Sequence, residues 1–163
     1  MNLKELFPII CSSFSAIFAG ITIIVSIVFQ RKNWLREKKQ NTIDAYLKLQ
    51  ENALTELYSH PKSFYEDIAL DNQSDEYKYY SSLIAQCEHF ATCIVEEVYD
   101  FDILSKISKK HLVYVYEKTY PIIEQAQYSD RLAFSNFEDL VCGLKWKRDC
   151  KKQSNENPGF TKK

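Results

Sequence analysis

The stretch from Leu6 to Gln30 holds no charged residue, and nothing else in the chain restricts its fate as strongly. It is 25 residues long and includes Phe7, Ile9, Ile10, Phe14, Ile17, Phe18, Ile21, Ile23, Ile24, Val25, Ile27, Val28 and Phe29. A helix needs about 20 predominantly apolar residues to cross a bilayer. A secretory signal peptide has an apolar core of only about 7–15 residues, behind a basic start and before a small-residue cleavage site. Here the run is longer, and Lys4 is offset by Glu5. A buried helix of a soluble protein is the other possibility, but no polar stripe breaks this run. The sequence therefore predicts a transmembrane helix over 6–30, preceded by a short segment, 1–5, on the far side.

Charge sets the expected orientation. Behind the run stand Arg31, Lys32, Arg36, Lys38 and Lys39, against the single acid Glu37. Positive residues are retained on the cytoplasmic side, so the N-terminus is expected outside and the rest inside, single-pass in the inner (plasma) membrane. Trp34 suits the headgroup region, where an amphipathic ring has both its environments. Ser12, Ala16 and Gly20 recur every four residues, and small residues at that spacing let two spans approach closely.

The remainder divides by charge. Residues 1–39 carry six Lys/Arg and two Asp/Glu, residues 40–144 eight against eighteen, and residues 145–163 seven against two. A net charge of −1 thus conceals an acidic middle between basic ends. An acidic domain repels phosphate backbones, so nucleic acid is not an expected partner. With only three glycines and four prolines, turn-rich sheet folds and glycine-rich phosphate loops are disfavoured.

Helical periodicity runs through the acidic domain. After a basic stalk over 31–42, the pattern Ile43, Tyr46, Leu47, Ala53, Leu54 and Leu57 predicts a helix ending at Ser59–His60, before Pro61. Residues 61–74 read as a loop with one helical turn around Phe64–Leu70. Ser74 is placed to cap the next helix, with Asp75 and Glu76 in its first turn. That helix would bury Leu83, Ile84, Cys87, Ala91, Ile94, Val95 and Val98, and Asp102 would cap the helix after it. Leu112 to Tyr116 has strand-like composition, but no second strand exists to pair with it, so helix is favoured. Pro121 would kink or restart that helix. Ser135 and Glu138 form a capping-box pattern that opens a last helix, about Asn136 to Cys150. The expected architecture is all-α: one transmembrane helix, then a cytoplasmic bundle of about four helices over 43–150, then a basic tail over 151–163 without fixed structure.

No constellation here carries an obvious reaction. The five cysteines lack CxxC spacing, and thiols facing a reducing cytoplasm stay free. His89 and Cys93 stand one turn apart, with Glu96 and Glu97 following. That is at most half a metal site, so no metal or other cofactor is expected. No nucleophile elbow and no phosphate loop occur. His111 reads as a histidine at the edge of a core rather than a base, and no catalytic residue is assigned. Glu88 borders the buried stripe of its helix, where a charge needs a partner. Arg131 and Lys110 are candidates for an ion pair, and a hydrogen bond would serve equally. Lys145, Trp146, Lys147 and Arg148 form a basic-aromatic segment. It reads as a solvated helix end or, given the anchor, as a contact with an anionic leaflet.

Three landmarks carry a resemblance. They are Cys87-Glu88-His89-Phe90-Ala91 followed by Tyr99-Asp100-Phe101-Asp102-Ile103-Leu104, then Tyr120-Pro121-Ile122-Ile123, and finally Asn136-Phe137-Glu138-Asp139-Leu140 with Trp146. In this order, behind one span and a basic stalk, they resemble the bacterial membrane-associated proteins grouped as domain of unknown function 4760. The resemblance covers roughly residues 5–148 and implies no assigned reaction. The expectation is a non-enzymatic anchor that touches the lipid bilayer and displays a helical interaction domain toward another copy or another protein. The rival is a membrane-perturbing effector, of the toxin or phage-defence kind, acting through self-association of its spans.

Overall fold

The computed structural model describes the backbone of residues 3–156, and side chains within residues 18–147 apart from Lys109. Ser12, Ala16, Cys11, Arg148 and Cys150 therefore lie outside the described side chains, and the tail beyond Glu156 outside the described residues. Every regular element among the described residues is helical: α1 Leu3–Leu49, a π-helical turn Gln50–Leu54, α2 Thr55–Ser59, α3 Lys62–Ala69, α4 Asp75–Val95, α5 Phe101–Ile107, α6 Lys109–Ser129 and α7 Ser135–Glu156. The chain forms two compact units, Met1–Lys38 and Lys39–Lys163.

In the first unit the described apolar side chains from Phe18 to Phe29 are all exposed, Phe18 at 67% and Phe29 at 64%. Among the described residues no helix is long and apolar enough to cross a membrane; the part of the uncharged run before Phe18 is not among those side chains. Thr22 donates its hydroxyl to the Phe18 carbonyl at 2.8 Å, so its polar group is satisfied within its own helix. The basic stalk is not a separate loop, since α1 continues through it.

The second unit is built from four long rods and two short helices. The rods are the end of α1 with its continuation into α2, then α4, α6 and α7. The short helices α3 and α5 fill the turns; α3 packs on α6, while α4 and α6 both pack on α7. Tyr65, Leu57, Ile84, Leu104, Leu112, Ile122, Ile123, Phe137 and Leu144 are fully buried at their centre.

Several local features follow from the residues. His60 is extended at φ −95°, ψ 150°, as expected before proline, and Pro61 opens α3. Residues 62–69 thus form a full helix where the sequence predicts a single turn. The His60 ring stacks on Phe64 at 4.1 Å, and the Tyr80 hydroxyl lies 3.1 Å from His60 Nε2 and donates to Glu56 Oε1 at 3.3 Å. Ser74 caps α4 as predicted, its hydroxyl accepting from the Tyr77 N–H at 3.1 Å. α4 stops at Val95 because Glu97 takes a left-handed conformation, φ 57°. Val95 and Val98, predicted buried, are consequently exposed. Asp100 rather than Asp102 caps α5, accepting from the Ile103 N–H at 3.0 Å. Leu112 to Tyr116 is helical, and α6 runs through Pro121 without ending. α7 continues six residues past the predicted end at Cys150.

A π turn interrupts the first rod. Thr55 sends both its backbone N–H and its hydroxyl to the Gln50 carbonyl, the latter at 2.7 Å. This five-residue closure adds one residue to the turn. Along the rod Tyr46, Leu49, Ala53, Leu54 and Leu57 are buried; Leu49 is not in the predicted stripe, and Leu47, which is, stands 55% exposed.

Burial has a pH consequence. It lifts the Cys87 thiol to about 12, with the neighbouring Glu88 charge adding to the effect, and it raises the phenols of Tyr46, Tyr65 and Tyr116. The folded state therefore holds these protons more tightly than the unfolded chain. Their contribution is fully present below the ordinary thiol value of 9.0 and is lost as pH rises toward about 12. Melting temperature followed by circular dichroism should be level up to about pH 9 and then fall; a level profile to about pH 11 would contradict the burial of these groups.

Candidate functional site

The N-terminal half of α6 reads Lys110-His111-Leu112-Val113-Tyr114-Val115-Tyr116-Glu117-Lys118. Helical spacing puts Leu112, Val115 and Tyr116 toward the core, where all three are buried, and lines up His111, Tyr114 and Lys118 along the rim. Opposite them stand the π turn and α2. Gln50, Leu54, Thr55, Tyr58, His111 and Val115 enclose a hollow of about 220 Å³. Gln50 and Leu54 are the first and last residues of the π turn.

Aromatic and cationic contacts fix the walls. The Tyr58 ring lies 5.8 Å from that of His111 and 5.0 Å from that of Tyr114. Lys118 sits over both tyrosines, 5.0 Å and 4.6 Å from their centroids, and donates to the Tyr58 carbonyl at 2.7 Å. The Tyr46 hydroxyl is 3.5 Å from His111 Nδ1. The hydroxyl and the imidazole can each donate or accept in this contact, according to the ring's tautomer. Two further hollows adjoin. One shares His111 and is bordered by Ser105, Lys106, Ile107, Ser108 and Lys110. The other lies beside Ser59, Pro61, Lys62, Tyr114, Glu117 and Lys118. The two that share His111 make the α6 groove. The sequence reading missed Gln50, Tyr58, Tyr114 and Lys118; the signal available was the row at i, i+3 and i+7 from His111.

Glu88 lies elsewhere, on the opposite flank of α4. Its carboxylate accepts from the backbone N–H groups of Asn136 at 3.1 Å and Phe137 at 2.7 Å, and from Asn136 Nδ2 at 2.9 Å. It caps α7 from another helix, where the helix dipole favours a negative charge. Neither Arg131 nor Lys110 is its partner in these contacts. The predicted capping box is not used, because Glu138 Oε2 accepts from Gln127 Nε2 at 3.2 Å instead.

The basic-aromatic segment is divided. Lys145 pairs with Glu117 at 2.9 Å, and Lys147 pairs with Asp102 while lying 5.0 Å from the Phe101 centroid. Trp146 is 71% exposed. On α1, Trp34 is 57% exposed with Lys38 5.3 Å from its centroid, and Arg31, Lys32, Arg36 and Lys39 are exposed. A Cβ added at Gly20 would meet nothing within 4 Å. Cys87, Cys93 and Cys142 are free thiols, and no group of three or more metal-ligating side chains occurs among the described residues.

Replacing Glu88 with alanine strands the α7 donors and should cost about 1–3 kcal/mol. Glu97→Gly relieves the left-handed strain and should be neutral or stabilising by up to about 1 kcal/mol. Denaturant titration of the two variants checks this; equal destabilisation would refute the assignment of Glu88 as the α7 cap.

No curated protein and no solved structure matches the chain. One family model does match, over residues 9–146, and it takes in both the uncharged run and the helical domain. The chain belongs to the family described as Domain of unknown function (DUF4760).

Proposed function

We propose that this protein is a single-span membrane anchor whose helical domain acts on the cytoplasmic side by binding rather than by catalysis. The observation that carries the reading is the described part of the uncharged run. Phe18, Ile21, Ile23, Ile24, Val25, Ile27, Val28 and Phe29 all stand open on one helix. Large apolar side chains kept in water forgo about 1.5–3 kcal/mol each, so a covering medium is required. Lipid fits, because the run extends back without charge to Leu6. The self-satisfied hydroxyl of Thr22 supports the same reading.

Docking of a protein partner is supported at one end of the helical domain. Leu70 at 87%, Tyr128 at 89% and Leu132 at 74% are the most exposed large apolar side chains there. They flank the α3–α4 and α6–α7 connections, whose residues Asn72, Gln73, Ser129 and Asp130 line one shared hollow. Apolar groups left this open beside a shared hollow support an interaction surface. The leaflet contact falls to Arg31, Lys32, Arg36 and Lys39 with Trp34, since Lys145 and Lys147 already have carboxylate partners.

A second reading is favoured by Gly20. Its open surroundings leave room for a neighbouring span, and Ser12 and Ala16 share its four-residue spacing. Self-associating spans would make the protein a membrane-perturbing effector, of the toxin or phage-defence kind.

Topology is tested with reporters fused to the C-terminus of the full chain. Cytoplasmic fluorescence without periplasmic phosphatase activity is expected, and the reverse would overturn the anchor. Induced expression separates the two readings: an anchor leaves growth unchanged, whereas an effector arrests it and loses that effect on Ala16→Leu with Gly20→Leu.

A further inference from the structure

The α6 groove has a charge pattern that the acidic domain around it does not explain. Residues 40–144 hold eight cations against eighteen carboxylates, so a hollow placed at random should be rimmed by acid. Yet Lys106 and Lys110 border one hollow, and Lys118 borders another with Lys62, which pairs with Glu66 at 3.5 Å. Neither hollow that touches His111 has a carboxylate among its described lining residues. Glu117, on the third hollow, is paired with Lys145. Lys106 and Lys110 form no ion pair among the described residues. Cations gathered without a counter-charge repel one another, and a bound anion would relieve them.

The central hollow differs in kind. Its floor is Leu54 and Val115, its walls are the Tyr58 and His111 rings, and the Gln50 amide supplies one donor and one acceptor. At about 220 Å³ it exceeds the roughly 150 Å³ cavity that admits benzene, so a flat heterocycle fits. His111 lines both hollows, so the ring-sized space and the one bordered by the two lysines share a wall.

We propose that the groove binds a nucleoside phosphate, with the base between Tyr58 and Gln50 and the phosphate against Lys106 and Lys110, beside the His111 ring. Lys118 is spoken for by the two tyrosines and the Tyr58 carbonyl, so it braces the wall and is not counted as a ligand. Inositol phosphates carry the same phosphate but no flat ring, and the groove discriminates against them through Tyr58. The proposal is independent of the membrane anchor.

The test is titration calorimetry on the full chain in neutral detergent micelles. The probes are the four ribonucleoside 5′-monophosphates, with inorganic phosphate and inositol 1-phosphate alongside. At least one nucleotide should bind more tightly than both of the others. Lys106→Glu and Lys110→Glu, both at exposed positions, should each weaken it by about tenfold or more. Lys78→Glu, on α4 and outside the groove, should leave it unchanged. Tyr58→Ala or Gln50→Ala should bring the nucleotide down toward inorganic phosphate. Absence of nucleotide binding, equal affinity for inositol 1-phosphate, or insensitivity to the two charge reversals would each overturn the proposal. Circular dichroism of every variant separates a lost site from a lost fold.

Discussion

The Glu88 carboxylate holds the C-terminal helix in register with the rest of the domain. The first turn of any helix exposes N–H groups that need acceptors. α7 receives its acceptor from a helix more than forty positions earlier in the chain, with Asn136 adding its side-chain amide and bonding Thr92 at 3.1 Å. That anchor sets the rotation of α7, and with it the burial of Phe137, Leu140, Val141 and Leu144. The same rotation lets Lys145 reach Glu117 on α6 and Lys147 reach Asp102 on α5. One acceptor thus organises a core face and two surface ion pairs.

What could be read from the residues was whatever depends on local spacing. The all-helical class, the Ser74 cap, the stop at His60–Pro61 and the helical state of Leu112 to Tyr116 all follow from neighbours within a turn or two. The family was legible from short landmarks scattered along the chain. The misses have a common cause, namely a partner distant in sequence or a backbone state that composition does not signal. Ser135 and Glu138 look like a self-contained cap, but Glu88 supplies the acceptor from outside. Val95 and Val98 fit the apolar stripe of α4 until Glu97 enters a left-handed conformation more usual for glycine. Ser108 divides α5 from α6 because its backbone leaves the helical region, at φ −126° and ψ −2°, a state that nothing in the helical pattern announces.

The site was legible only in part, for the same reason. His111 was noticed as a histidine beside apolar neighbours, and its placement at the edge of the core agrees with the buried Tyr46 at its Nδ1. What sequence spacing could not supply was the opposite wall. Tyr58 and Gln50 come to face α6 only because α2 and the π turn cross it, and that crossing is a tertiary fact. Similarly, net charge by segment describes the domain as acidic and hides the placement of Lys106 and Lys110 beside His111.

The π turn has a further meaning when the chain is considered as a lineage. A turn closed over five residues is a regular helix that has absorbed one extra amino acid. Removing Glu51 or Asn52 would restore ordinary winding and swing Gln50 off the groove, without changing the apolar count. Among relatives, a one-position gap at this point would therefore mark chains that keep the fold and lack the hollow. The length of the sequence there, more than the identity of any residue, records whether the groove exists.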